Sequence, residues 1–227
     1  MKTLPGALVR GVFVLAALLI LGSHGAVAAD TSATPLDKYF DGLTTLRASF
    51  TQTVKDARGK DVDHSTGNLV VQRPGKFRWE VHPKKDSGGA GQLLVADGRN
   101  VWFFDRDLEQ VTVKPIDVAL SSTPAMLLTG AAELRQNFNV SPAGSRDGLE
   151  WVLVEPKHAD ADFRRALFGF GKGTSSVENL QRMIIDDRLG QTATIDFDSV
   201  ARNAKVTPDE VSFTPPAGAD VIGKPAT

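Results

Sequence analysis

The spacing of apolar residues changes character three times along this chain. The first stretch, Met1 to Ala28, sets Lys2 and Arg10 ahead of an unbroken apolar run from Val12 to Leu21. That run is too short for the roughly 20 residues a helix needs to cross a bilayer core. Gly22-Ser23-His24-Gly25 and the small-x-small Ala26-Val27-Ala28 follow it. This is the layout of a cleaved secretory signal, with cleavage expected after Ala28; an uncleaved anchor is the alternative. Residues 29–227 then show no change of composition that marks a boundary and no repeat of fixed period, so they are expected to form one exported domain.

From Thr34 the apolar positions recur every three or four residues: Leu36, Tyr39, Phe40, Leu43 and Leu46 (or Arg47). The spacing predicts an amphipathic helix over 34–47, capped by Thr34 with Pro35 in its first turn. After Arg47 the period falls to two. Phe50, Gln52 and Val54 open a strand, Asp56-Ala57-Arg58-Gly59 supplies a turn, and Gly67 to Arg73 reads as a second strand ended by Pro74-Gly75. Phe77, Trp79 and Val81 then alternate with Lys76, Arg78, Glu80 and His82, as on a strand with one covered face. Beyond a glycine-rich stretch at Ser87 to Gly91, Asp97-Gly98 predicts a hairpin between Gln92–Ala96 and Val101–Phe104. Val101 and Phe103 oppose Trp102 and Phe104, so that strand is apolar on both sides and both sides require a cover.

The strands stop at Pro115. Short helices are expected at Ile116 to Leu120, after Thr123-Pro124, and from Ala131 to Arg135. Strands resume at Phe138–Val140, Leu149–Glu155, Phe163–Phe170, Leu180–Asp186, Ala193–Ser199 and Val211–Phe213, joined by glycine-containing turns that suit an antiparallel sheet.

Composition narrows the function. The chain has no cysteine, which removes disulfides, thiolate metal sites, a cysteine nucleophile and a lipid-modified N-terminal cysteine. A net charge of -1 offers no basic field for nucleic acid, and loss of Lys2 and Arg10 would leave the exported part more acidic. Catalytic motifs are missing: no HExxH, no G-x-S-x-G, and His64, His82 and His158 stand far apart, the first two on polar strand positions. Gly169 to Ser175 has the wrong glycine spacing for a phosphate loop, and Asp186-Asp187 beside Arg188 fits a turn cap better than a carboxylate pair. Aromatic residues are 12 Phe and three Trp against one Tyr, a composition that suits a dry aliphatic-binding surface and an ordinary core equally.

Specific segments separate those readings. Leu46-Arg47-Ala48-Ser49-Phe50-Thr51-Gln52 is followed by Gly67 through Arg73-Pro74-Gly75-Lys76-Phe77-Arg78-Trp79-Glu80. Next come Leu94-Val95-Ala96-Asp97-Gly98, Val101-Trp102-Phe103-Phe104, Thr123-Pro124 with Met126-Leu127-Leu128, and Phe213-Thr214-Pro215-Pro216-Ala217-Gly218-Ala219-Asp220-Val221. In this order and spacing, from about Leu36 to Val221, the chain resembles the periplasmic outer-membrane lipoprotein carrier family, LolA. The pathway's receptor shares that fold but is itself a lipoprotein and would need a cysteine.

The resemblance implies a mainly β, α+β single domain: an incomplete antiparallel β-barrel of about eleven strands with a helical lid over an apolar cavity. The predicted helix at 34–47 and the insertion at 116–135 fall where the lid would be. It further implies a carrier that takes lipoproteins from an inner-membrane ABC transporter through a Gram-negative-type periplasm to an outer-membrane receptor, as a monomer without metal, cofactor or catalytic residues. A strand arginine that latches the lid falls on Arg73; from the residues alone, Arg73 is an exposed strand end held extended by Pro74. Phe77, Trp79, Val81, Leu36, Phe40, Leu43 and Phe103 are the expected acyl-chain residues, and Pro124, Met126, Leu127 and Leu128 the expected lid residues. The alternatives are a related periplasmic lipid-binding or envelope-sensing module and an exported hydrolase.

Overall fold

A computed structural model describes residues 33–84, 88–119, 131–158, 161–171 and 179–226. The chain enters through a short helix, α1 (Pro35–Phe40). Thr34 and Asp37 cap it reciprocally: the Thr34 N–H donates to Asp37 Oδ2 at 2.8 Å, and the Asp37 N–H donates to Thr34 Oγ1 at 3.3 Å. Leu36, Tyr39 and Phe40 are buried.

The helix ends far earlier than Arg47. Gly42 takes a left-handed φ of 62°, which turns the chain out of the helix, and β1 (Thr45–Lys55) begins three residues later. Leu46 and Arg47 are therefore strand residues. The helical spacing from Leu43 to Leu46 coincides with the phase of β1, which buries Leu46, Ala48 and Phe50, so a strand could pass for another helical turn.

Eleven further strands follow: β2 (Asp61–Gln72), β3 (Lys76–Pro83), β4 (Gln92–Asp97), β5 (Asn100–Asp105), β6 (Gln110–Pro115), β7 (Phe138–Arg146), β8 (Leu149–Pro156), β9 (Phe163–Gly171), β10 (Asn179–Asp187), β11 (Thr192–Arg202) and β12 (Asp220–Gly223). They make one sheet in the order β12-β6-β5-β4-β3-β2-β1-β11-β10-β9-β8-β7. Two antiparallel meanders, β1 to β6 and β7 to β11, are thus stitched together by the pairing of β1 with β11. The sheet is open and, among the described residues, has twelve strands where about eleven were expected. The extra one, β12, pairs in parallel with β6.

Two helices, α2 (Ile116–Ala119) and α3 (Ala131–Asn137), sit at the two ends of the connection from β6 to β7. Because β6 and β7 lie on opposite sides of the sheet, this connection has to pass from one side to the other. The expected helix after Thr123-Pro124 and residues 172–178 of the β9–β10 link lie outside the described residues.

The expected strand at Val211–Phe213 is not one. Val211 ends a 3-10 turn, Pro208–Val211, and Phe213 lies in irregular chain. Pro208, Pro215 and Pro216 bring no N–H donor to a ladder, and the Phe213 ring is used for packing instead. It lies 5.8 Å from Trp102 and 6.0 Å from Phe104, covering the outer side of β5. The cover expected over both sides of β5 is therefore present on the outer side; on the inner side Val101 is buried but Phe103 is left exposed.

Cross-strand register sets the inner face. Leu46, Val71, Phe77, Ala96 and Val101 form one buried row across β1 to β5. Ala48, Leu69, Trp79, Leu94 and Phe103 form the next. In the row after that Phe50 stands opposite Gly67, and its ring lies over the glycine. A Cβ at Gly67 would sit 2.2 Å from Phe50 Cζ and 2.2 Å from the Glu80 carbonyl oxygen.

Turn chemistry follows the sequence closely. Asp56 Oδ1 receives the Arg58 and Lys60 N–H groups, and Asp97 Oδ1 those of Arg99 and Asn100. Asp187 Oδ1 accepts from Leu189 and Gln191, which is the turn cap expected at that position. Asp186 instead binds Arg165 Nε at 2.6 Å and the Thr192 hydroxyl at 2.7 Å.

Candidate functional site

The inner face is closed at one end and open at the other. At the closed end Leu36, Phe40 and Leu43 pack into the same core as Phe77, all four at most 4 % exposed. Toward the far end of β2 and β3 a groove of about 380 Å³ opens, within the range of roughly 300–1,000 Å³ usual for small-molecule sites. Trp79, Val81, Leu94 and Phe103 give it apolar walls, and Gln52, Asp63, Ser65, Gln92 and Asp107 are the polar side chains around it. Phe103 is 37 % exposed here, a large apolar ring facing solvent.

The seven expected acyl-chain residues therefore divide. Trp79, Val81 and Phe103 line open space, whereas Leu36, Phe40, Leu43 and Phe77 lie in packed core. Two buried rings that the sequence did not single out for this site back Trp79 from within the core. Phe50 lies 4.7 Å from Trp79, and Phe197 is 6.4 Å from each. The pairing of Phe50 with Gly67 is what lets that ring lie flat, but it emerges only once the strand register is known.

Arg73 stands just past the end of β2, beside α1. Its Nη1 donates to the carbonyl oxygens of Phe40 at 2.9 Å and Leu43 at 3.0 Å, and its guanidinium lies 5.1 Å from the Phe40 ring centroid. The last carbonyls of a helix have no partners within it, and a forked, permanently charged donor suits them well. Arg202, at the end of β11, does the same from the other side of β1. Its Nη2 donates to Tyr39 O at 2.7 Å and Asp41 O at 3.1 Å, with the guanidinium 4.9 Å from the Tyr39 ring centroid. Asn203 completes the set, accepting from the Thr44 N–H and donating to Gly42 O at 3.0 Å.

The N-terminal end of α1 is tied to α3 by an ion pair between Asp37 and Arg135. Burial acts to raise the Asp37 carboxyl, but hydrogen bonds from Arg135 and Thr34 outweigh it and hold the group below its ordinary value. Pro124, Met126, Leu127 and Leu128 lie outside the described residues.

A second groove, of about 370 Å³, lies by the 3-10 turn with Arg78, Glu80, Asp209 and Glu210 in its walls. Its charges are largely matched within the protein: Glu80 pairs with Arg106 and Arg78, and Glu210 with Arg47. Such a lining does not suit an aliphatic chain. His64 is exposed, 3.5 Å from Asp61, and among the described residues no group of His, Asp and Glu is placed to hold a metal ion. No helix among them is long and apolar enough to cross a membrane.

A family model described as the outer membrane lipoprotein carrier protein LolA matches residues 41–214. The chain belongs to the LolA family. Two relatives called outer-membrane lipoprotein carrier protein agree with that. One, from Methylobacillus flagellatus, is 39% identical over 189 residues, covering 83% of this chain and 87% of its own. Another, from Xanthomonas oryzae pv. oryzae, is 40% identical over 191 residues, covering 83% and 86%. Among solved structures, an uncharacterized conserved protein from Thermus thermophilus superposes with a TM-score of 0.52 at 14% identity, covering 83% of this chain and 96% of that one; the likeness concerns the fold alone. Membership in the LolA family matches the expectation drawn from the order of segments between Leu36 and Val221.

Proposed function

We propose that this LolA-family chain carries lipoproteins through the periplasm, accepting them after release by an inner-membrane ABC transporter and surrendering them to an outer-membrane receptor. Residues 1–28 act as the export signal, and residues 29–227 work as a monomer with no chemical step. The acyl chains occupy the inner face, entering at the groove beside Trp79, Val81 and Phe103. They reach the ground now filled by Leu36, Phe40, Leu43 and Phe77 once α1 and the 116–137 connection lift as a lid, taking Pro124, Met126, Leu127 and Leu128 with them.

The observation that carries this reading is the pair of hydrogen bonds from Arg73 to the Phe40 and Leu43 carbonyls. A buried methylene is worth about 0.8 kcal/mol, so an engulfed acyl chain would hardly leave unless something opposed its binding. Hydrogen bonds to a charged group contribute about 1.5–3 kcal/mol each. Breaking them on loading offsets part of the acyl affinity and leaves the cargo transferable. The aromatic walls offer area without a fixed pattern of donors, which fits cargo that has only its lipid in common.

Protein purified from the periplasm should carry acylated polypeptide adducts in native mass spectra. The Arg73→Leu variant should still load but pass cargo to the receptor at least tenfold more slowly. Absence of any lipoprotein adduct on the wild-type protein would overturn the carrier reading, and normal transfer by the variant would overturn the latch.

A further inference from the structure

We infer that Arg202 is a second arm of the α1 clasp, and that the buried Tyr39 hydroxyl weakens that arm so the closed state stays easy to leave. This rests on the carrier reading only for its consequence in loading. The clasp itself stands on geometry. Arg73 directly follows β2 and Arg202 ends β11, the two strands that flank β1. Each places one guanidinium nitrogen on two carbonyl oxygens at the C-terminal end of α1 or just beyond it, and each stacks on a different ring of α1. A six-residue helix has too few internal hydrogen bonds to persist alone. Its closed position therefore depends on what grips it from outside, and the grip has two sides.

The second side is imperfect. Tyr39 is fully buried, yet among the described residues its hydroxyl has no hydrogen-bond partner, and neither has the buried Nε of Arg202. Burial also pushes the Tyr39 phenol up, with the Arg202 charge opposing it only in part. Taking a hydroxyl out of water without a new partner is unfavourable, and the penalty vanishes when α1 lifts and the hydroxyl meets water. Arg202 thus favours closure, while Tyr39 opposes it through its oxygen and assists it through its ring. Phenylalanine at this position would fill the same site without the penalty.

The test pairs two variants expected to move in opposite directions. Hydrogen exchange at the Lys38 and Asp41 amides, which bond to Thr34 and Asp37 within α1, reports lifting of the helix. Stopped-flow uptake of a dansyl-labelled sixteen-carbon fatty acid reports loading. Arg202→Leu should speed both by roughly tenfold, the loss of one charged hydrogen-bond set, while exchange in the central strands stays at the wild-type level. Arg202→Lys, which keeps the charge but not the fork, should recover part of the protection. Tyr39→Phe should slow both several-fold.

Unchanged α1 exchange in Arg202→Leu, or faster exchange in Tyr39→Phe, would overturn the inference. If Arg202→Leu fails to fold, Arg202→Lys and Tyr39→Phe decide alone: the first must raise and the second must lower α1 exchange. Should the wild-type protein take up no fatty acid, the carrier reading fails, and α1 exchange still judges the clasp.

Discussion

A methyl group at Gly67 would have nowhere to go. The Phe50 ring can swing, but the Glu80 carbonyl oxygen belongs to a paired strand and cannot. Gly67→Ala is therefore expected to destabilise the fold by about 1–3 kcal/mol, the usual range for overpacking, as measured by urea denaturation. It should also tip the Phe50 ring toward Trp79 and the groove, seen as reduced capacity for a fluorescent fatty acid. A variant as stable as the wild type would show that the ring does not need the glycine. At this scale the sequence was unevenly readable. Arg73 stood out because the residues around it form a recognisable run. Arg202 did not, because Ala201-Arg202-Asn203 looks like any polar strand end until β11 is laid beside β1. Phe50 and Gly67 are separated by a turn and a long strand, and only register joins them.

The element that depends most visibly on outside support is α1. Its six residues begin at a reciprocal cap and end at carbonyls held by side chains from elsewhere. Thr34→Ala should cost about 1 kcal/mol, and because the helix is short and peripheral the loss should appear as faster local exchange in α1, with exchange in β1 unaltered. Equal acceleration in both would mean that α1 does not open separately. The Asp37–Arg135 pair adds a dependence on pH. Asp37 is held below its ordinary value of 3.8, so the folded state binds its proton less readily than the unfolded chain does. Its stabilising contribution is complete above 3.8 and fades as pH falls through the lower folded value. Protection of α1, corrected for intrinsic exchange chemistry, should be flat between about pH 5 and 8 and decline only in stronger acid; a decline around neutrality would point to another group. Alternation made β3 legible residue by residue. The same arithmetic stretched α1 to Arg47, since three-residue spacing from Leu43 to Leu46 is helical in one dimension and accidental in three. β12 could not be read at all: its four residues are exposed, with no inside to alternate with.

In the molecule as a whole, the C-terminal segment binds the outer face. After β11 the chain passes through the 3-10 turn, which contacts β2, β3 and β4, lays Phe213 on Trp102 and Phe104, and ends as β12 beside β6. Phe213→Ala should cost about 1–2 kcal/mol, less than a fully buried ring because Phe213 is only half-buried. Tryptophan fluorescence should shift to the red as Trp102 is uncovered, while fatty-acid uptake on the opposite face is unchanged. A matching loss of uptake would mean that the two faces are coupled.

The route from β6 to β7 has a mechanical corollary. Its fixed points, α2 and α3, stand against β5 and β6 on one side and β7 on the other, with residues 120–130 between them. Eleven residues reach roughly 40 Å at most, so the covalent chain itself caps the distance that can ever open between Ala119 and Ala131. Any widening of the sheet beyond that cap would have to unwind α2 or α3, which makes chain length, and no particular side chain, the final stop.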